Sequence, residues 1–155
     1  MAAALAPVTR TYDEGEDIHP FGTPQKIMLK TEETGGAFSA IVVRHEPGGG
    51  PPPHSHAGQA EYMYIVEGTY EFTIGGVTRT LGPDSIVFIP PDTVHTFRNI
   101  TDKPGKVLDW SLPGGQDIYF REVSELTTGA GFGPEMREQL VDINRRHATR
   151  FHDKP

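Results

Sequence analysis

From Gln25 to Leu112 the chain is a succession of short runs rich in Ile, Val, Tyr, Phe and Thr, each closed by a glycine- or proline-containing turn. β-branched and aromatic side chains pack well on a pleated surface, so runs of this kind read as strands. The expected strands are Gln25–Thr31, Ala37–Glu46, Pro53–His56, Glu61–Glu67, Thr69–Ile74, Val77–Leu81, Ser85–Ile89, Val94–Ile100 and Lys106–Leu112. Between two of them, Gly75-Gly76 supplies the positive φ angles that a two-residue hairpin turn needs. Eighteen glycines and fourteen prolines in 155 residues are therefore the punctuation of a turn-rich β protein.

The flanks read differently. Residues 1–24 are polar and broken by Pro7, Gly15, Pro20, Gly22 and Pro24, which suggests an extended arm that pairs with a neighbouring chain's sheet edge. Residues 25–115 are expected to form the strand-rich core of the domain, and 116–155 a helical segment and tail. Within the tail, Met136, Leu140 and Ile143 recur at helical spacing from Pro134 to His147, with Glu135 and Glu138 early and Arg145 and Arg146 late. That order complements a helix dipole. Asp117–Leu126 is expected to form a second, shorter helix. The whole is one domain, all-β apart from this short C-terminal helical extension.

Composition excludes several functions. A net charge of −7 with no Lys/Arg cluster argues against nucleic acid and anionic membranes as partners. Without cysteine there is neither a disulfide nor a thiolate metal site. No apolar run approaches the ~20 residues of a membrane span, and the opening residues lack the basic region of a signal peptide. A cytoplasmic protein is the expectation.

The stretch from Gly48 to Gly68 carries the chemistry. Residues two apart on a strand face the same way, so His54 and His56 present both imidazoles to one side. After a turn at Ala57-Gly58, Glu61 opens the next strand and shares a face with Met63 and Ile65. A later strand puts His95, Phe97 and Asn99 on one face. Three neutral imidazoles and a carboxylate suit a borderline first-row divalent ion, and four protein ligands leave two octahedral positions open. With seven histidines, one H-x-H alone means little; Glu61 at its offset and His95 downstream give the pattern its weight.

With those residues in place the chain resembles the cupin family, whose first motif, G-x5-H-x-H-x(3,4)-E-x6-G, matches at Gly48, His54, His56, Glu61 and Gly68. The second, G-x5-P-x-G-x2-H-x3-N, matches at Pro90, His95 and Asn99, with Asp84 and Asp92 where the family has glycine. Aspartate tolerates left-handed backbone, so both turns are expected to survive. The resemblance implies a double-stranded β-helix (a jelly-roll barrel) with His54, His56, Glu61 and His95 as ligands of one divalent transition metal, whether Fe, Mn, Ni, Co, Zn or Cu.

A narrower resemblance is to small quercetin 2,3-dioxygenase-like cupins. It rests on Thr34-Gly35-Gly36-Ala37-Phe38, Pro51-Pro-Pro-His-Ser-His56 and Leu112-Pro113-Gly114-Gly115 before Tyr119-Phe120-Arg121-Glu122. It implies a dioxygenase that takes dioxygen and a small enolic or phenolic, flavonol-like substrate. Glu61 would then be both ligand and catalytic base. Two alternatives share the ligands: a redox-neutral isomerase, lyase or cyclase, and a non-enzymatic small-molecule-binding module. Met63, Ile65, Phe97 and Trp110 are candidates for the substrate pocket, either as its wall or as ordinary core. His19, His45, His147 and His152 have no partner at ligand spacing and read as solvent-exposed. The arm and open strand edges suggest a homodimer.

Overall fold

The computed structural model describes residues 4–128 and 134–153. All nine expected strands form: β2 Gln25–Leu29, β3 Ser39–His45, β4 His54–His56, β5 Ala60–Glu67, β6 Tyr70–Ile74, β7 Val77–Leu81, β8 Ile86–Ile89, β9 His95–Asn99 and β10 Gly105–Leu112. Two more were not anticipated, β1 at Glu16–Ile18 and β11 at Thr149–Phe151. The helices are α1, Gln116–Thr127, and α2, Pro134–Arg146.

The strands make two antiparallel sheets, one in the order β1-β2-β3-β10-β5-β8 and the other β11-β4-β9-β6-β7. The shared interior holds Met63 and Ile65 of β5, Tyr70 and Phe72 of β6, Val87 and Ile89 of β8, Phe97 of β9 and Val107 of β10. Each comes from the alternate positions of its strand, as a pleated sheet with one buried face demands. This is the jelly-roll barrel with a helical extension.

The termini are where the sequence reading needs correction. Among the described residues before Gln25, Glu16–Ile18 form a strand of this chain's own sheet where an extended arm was expected. β1 pairs with β2 of its own sheet, and Ile18 packs with Ile27, Ile41 and Val43 in a second cluster. Arg10 is held by Glu33 at 2.8 Å. At the other end β11 adds to β4, the strand carrying both motif histidines. A three-residue Thr-Arg-Phe strand has too little alternation to be recognised; the neighbour's unpaired edge makes it a strand. α1 and α2 pack through Tyr119, Val123 and Ile143.

The turns behave as their residues require. Gly75 and Gly76 adopt φ of 55° and 83° at the β6–β7 hairpin. Asp84 and Asp92, in the motif's glycine positions, take φ of 64° and 63°, so the left-handed turns are kept. Gly50 is needed for a different reason: a Cβ there would overlap the carbonyl oxygen of Phe97, so only glycine lets this loop approach β9 and deliver His54.

Candidate metal centre

Strand register brings the histidines together. His54 on β4 lies directly opposite His95 on β9, with ring centroids 4.1 Å apart. His56, two residues on, faces the same way, and its ring centroid is 5.5 Å from that of His95. Glu61 opens β5 in the other sheet and closes the site from across the barrel. The four ligand atoms lie within 4.8 Å of one another, and all four side chains are buried.

Each imidazole is held by its far nitrogen. His54 Nδ1 is 2.9 Å from the Pro52 carbonyl and His95 Nδ1 is 2.9 Å from the Thr93 carbonyl. A carbonyl only accepts, so both Nδ1 atoms carry the proton and both Nε2 lone pairs point inward. His56 Nδ1 reaches Thr149 Oγ1 of β11 at 3.3 Å. Glu61 Oε2 sits 2.8 Å from His95 Nε2 and 3.3 Å from His56 Nε2. Neither contact has hydrogen-bond alignment, and His56 Nε2, His95 Nε2 and Glu61 Oε2 are all buried without a partner among the described residues. Converging, inward-facing, unpartnered nitrogen and oxygen atoms are what a divalent ion needs, so the residues fit the metal that the motif implies.

The electrostatics without an ion follow from crowding. Burial lowers His54 to about 4, with the neighbouring His95 adding to the effect. For His95 burial pulls the same way, but contact with Glu61 outweighs it and the net direction is up. Glu61 is opposed by burial, yet His56 and His95 hold it well below the ordinary carboxylate range.

Glu61 has neighbours that were not foreseen. The amide of Gln116, at the start of α1, donates to Glu61 Oε1 at 3.1 Å and to Asp109 Oδ2 at 3.4 Å. Burial, then the negative charge of Glu61, pushes the Asp109 carboxyl well above its usual range. Two carboxyls this close favour one ionised and one protonated. Gln116 is fixed by a clamp on either side: Gly115 N donates to Thr31 Oγ1 at 2.6 Å, and Asp117 accepts from the Thr31 amide at 3.0 Å. Asp109 had a signal in the sequence, since it shares the inward face of β10 with Val107 and Ser111. A carboxylate in a core position asks for a function. Gln116 had none.

A cavity of about 220 Å³ opens on the site, lined by His54, His56, Glu61, Asp109 and Gln116 and walled by Phe97, Phe120 and Tyr119 among others. Of the pocket candidates, Phe97 lines it. Met63 and Ile65 do not; they are fully buried in the interior cluster, deeper along β5 than Glu61. Trp110 lies on the opposite face of β10, stacked on Tyr62 at 5.5 Å, because strand alternation points it away from Asp109. His45 corrects another expectation: it is 7% exposed, lines the same cavity and contacts Tyr70 OH at 3.1 Å. Burial lowers its pKa to about 4. His147 is half-buried beside Glu122 at 3.1 Å, whereas His19 and His152 are exposed.

This barrel with its inward-facing three-histidine, one-glutamate cluster defines a cupin. Residues 41–111 match the family model described as a cupin domain, and the chain belongs to the cupin superfamily. Among curated proteins it is 31% identical over 94 residues to polyketide synthase CurC of Streptomyces cyaneus, covering 61% of this chain and 57% of that protein. The chain thus spans little more than half the length of that relative. Among solved structures, KdgF from Halomonas sp. is 26% identical, with a TM-score of 0.58 over 67% of this chain and 89% of that one. The polyketide cyclase RemF from Streptomyces resistomycificus shares the fold at 19% identity, with a TM-score of 0.59 over 69% and 80% of the two chains. Among the described residues no helix is long and apolar enough to cross a membrane.

Proposed function

We propose that this chain is a metal-dependent enzyme that moves a proton on a small enolic or phenolic substrate without net redox change. The observation that carries this reading is a pair of carboxyls bridged by one amide: Gln116 holds Glu61, a candidate ligand, and Asp109, a second acid on the same cavity wall. His54, His56, His95 and Glu61 would hold the ion, which when bound would supply Lewis acidity toward an enol or phenol. Glu61 Oε1 keeps its orientation through Gln116, while Asp109 takes up or delivers the proton. The aromatic walls exclude water and seat a flat substrate. The name of the curated relative, a polyketide synthase, supports an enolic or phenolic substrate.

The dioxygenase reading is the second. It draws on the ligand set, which also suits redox-active first-row ions, and on the Pro51-Pro-Pro-His-Ser-His56 resemblance. One experiment separates them. The metal-loaded protein is incubated with enolisable diketones and simple phenols in deuterated buffer, with NMR and an oxygen electrode read together. Exchange or rearrangement of substrate without oxygen uptake is expected. Oxygen consumption in step with substrate loss overturns the redox-neutral reading in favour of the dioxygenase; tight binding without turnover favours a ligand-binding module.

A further inference from the structure

Among the described residues, His45 is the histidine of the cavity wall that lies outside the four-ligand cluster. It ends β3 and packs edge-on against Tyr70 and Phe97, with ring centroids 5.6 Å and 5.4 Å away. Asn99 Nδ2 donates to its backbone carbonyl at 3.1 Å and fixes the point from which the ring projects. Its Nδ1 lies 3.1 Å from Tyr70 OH, and that fully buried hydroxyl has no other hydrogen-bond partner among the described residues. Were Nδ1 to carry the proton, the Tyr70 hydrogen would be left unpaired in the core, which is costly. Tyr70 therefore donates, Nδ1 accepts, and the neutral ring carries its proton on Nε2. Burial keeps the ring neutral, with its pKa lowered to about 4. Nε2 has no partner among the described residues either, and unlike His56 Nε2 and His95 Nε2 it is not sealed off. Because the side chain borders the cavity of about 220 Å³, Nε2–H is an unpaired donor that opens on it.

Strand register sets this donor apart from the metal end. Asp109 lies opposite Ile41 on β3, Val107 opposite Val43 and Gly105 opposite His45. His45 is thus four residues, about 13 Å of strand, beyond the level of Asp109, with Val43 on the wall between them. We infer that His45 Nε2–H is a second substrate-binding group, a fixed donor for a carbonyl or enolate oxygen. The ligand is then a flat molecule with an enol or phenol hydroxyl at the metal end and an acceptor oxygen at the other. The inference rests on the proposed function for the first oxygen only. Where the two oxygens are conjugated, the donor stabilises the negative charge that deprotonation at the metal end spreads onto the far oxygen. A neutral imidazole suits that role. Tyr70 is a positioning residue, since its hydroxyl selects the tautomer.

The test is calorimetric titration of 4-hydroxyacetophenone and 4-ethylphenol into zinc-loaded protein, a pair that differs in a carbonyl oxygen against a methylene group. The difference in their phenol acidity cancels when the same affinity ratio is compared between variants. His45→Met removes the donor at similar volume, and His45→Gln keeps an N–H near the position of Nε2. The preference for the ketone is expected to fall about tenfold in the first and by less than about threefold in the second. Zinc stoichiometry and circular dichroism verify that each variant is folded and loaded. Nitrogen–proton NMR of the unaltered protein needs no variant: His45 should show the Nε2-protonated tautomer, and its Nε2–H signal should move with the ketone and not with 4-ethylphenol. An unchanged preference in His45→Met, a ring protonated on Nδ1, or a ketone that does not bind overturns the inference. The same titration in metal-free protein separates it from the metal enzyme. A His45-dependent ketone preference in a protein that takes up no zinc contradicts the metal enzyme but leaves the donor standing.

Discussion

Glu61 and Gln116, separated by 55 positions, meet through a 3.1 Å hydrogen bond inside the barrel. The bond ties a residue of the cupin motif to the first residue of a helix outside it. One carboxylate oxygen is thereby held, and the other is left facing three imidazoles.

Elemental analysis of purified protein should find one divalent transition metal per chain, and His95→Ala or Glu61→Gln should abolish stoichiometric loading. Metal at a hundredfold excess over its Kd stabilises the folded state by about 2.7 kcal/mol, a rise in Tm of roughly 5–10 °C for a chain of this size. Differential scanning calorimetry with and without chelator reads it. An unchanged Tm and an empty elemental profile would remove the metal centre.

Gln116→Met keeps the volume but releases Glu61 Oε1. Metal affinity should weaken by about 10–100-fold, as for other groups that orient a ligand from behind. Competition against a chromophoric chelator measures it. Affinity equal to that of the unaltered protein would reduce the amide to a packing role.

Thr149→Val removes the oxygen 3.3 Å from His56 Nδ1, and Thr149→Ser restores it. The valine variant should lose about tenfold in metal affinity and the serine variant should recover it. Because β11 pairs with β4 through backbone groups in both variants, the comparison isolates the hydroxyl.

His45 makes stability depend on pH. Its folded pKa is about 4, depressed from 6.5 by burial, so below pH 6.5 the unfolded chain binds a proton that the folded chain does not. The stability it contributes is complete above pH 6.5 and is lost as pH falls toward 4, by roughly 3 kcal/mol over that window. Because His54 is depressed to about 4 in the same way, His45→Phe should remove about half of the slope that the two imidazoles give together in urea unfolding measured on metal-free protein. If the slope is the same in both, the burial of a neutral imidazole is not its source.

At Asp92, φ is 63°. Asp92→Gly should change stability by less than about 0.5 kcal/mol, whereas Asp92→Val should cost about 1–2 kcal/mol, because a β-branched side chain resists left-handed backbone. Denaturant midpoints at constant m-value measure both.

Much of this molecule was legible from its residues because the relevant signals are local. All nine expected strands formed, since period-two alternation and turn glycines act over a few residues. His54, His56, Glu61 and His95 could be singled out together because motif spacing encodes strand faces. β1 and β11 were not visible, for a strand of three residues exists only through the edge it pairs with. His45 read as exposed because nothing in Arg44-His45-Glu46 shows that Tyr70 and Phe97 enclose it. Trp110 failed as a pocket residue by one step of alternation, while Asp109 beside it lines the cavity.

Residue order alone determined the strands, the face on which each motif histidine lies and the donor chemistry, since backbone propensity and alternation work between near neighbours, while the barrel followed from the resemblance of the two motifs to those of cupins. Only the tertiary structure decided that Gln116 and Asp109 stand beside Glu61, that Thr149 steadies His56, and that His45 lines the same small cavity. Those contacts join elements from opposite ends of the chain. They depend on how two sheets and a helix pack, and no local pattern carries that information.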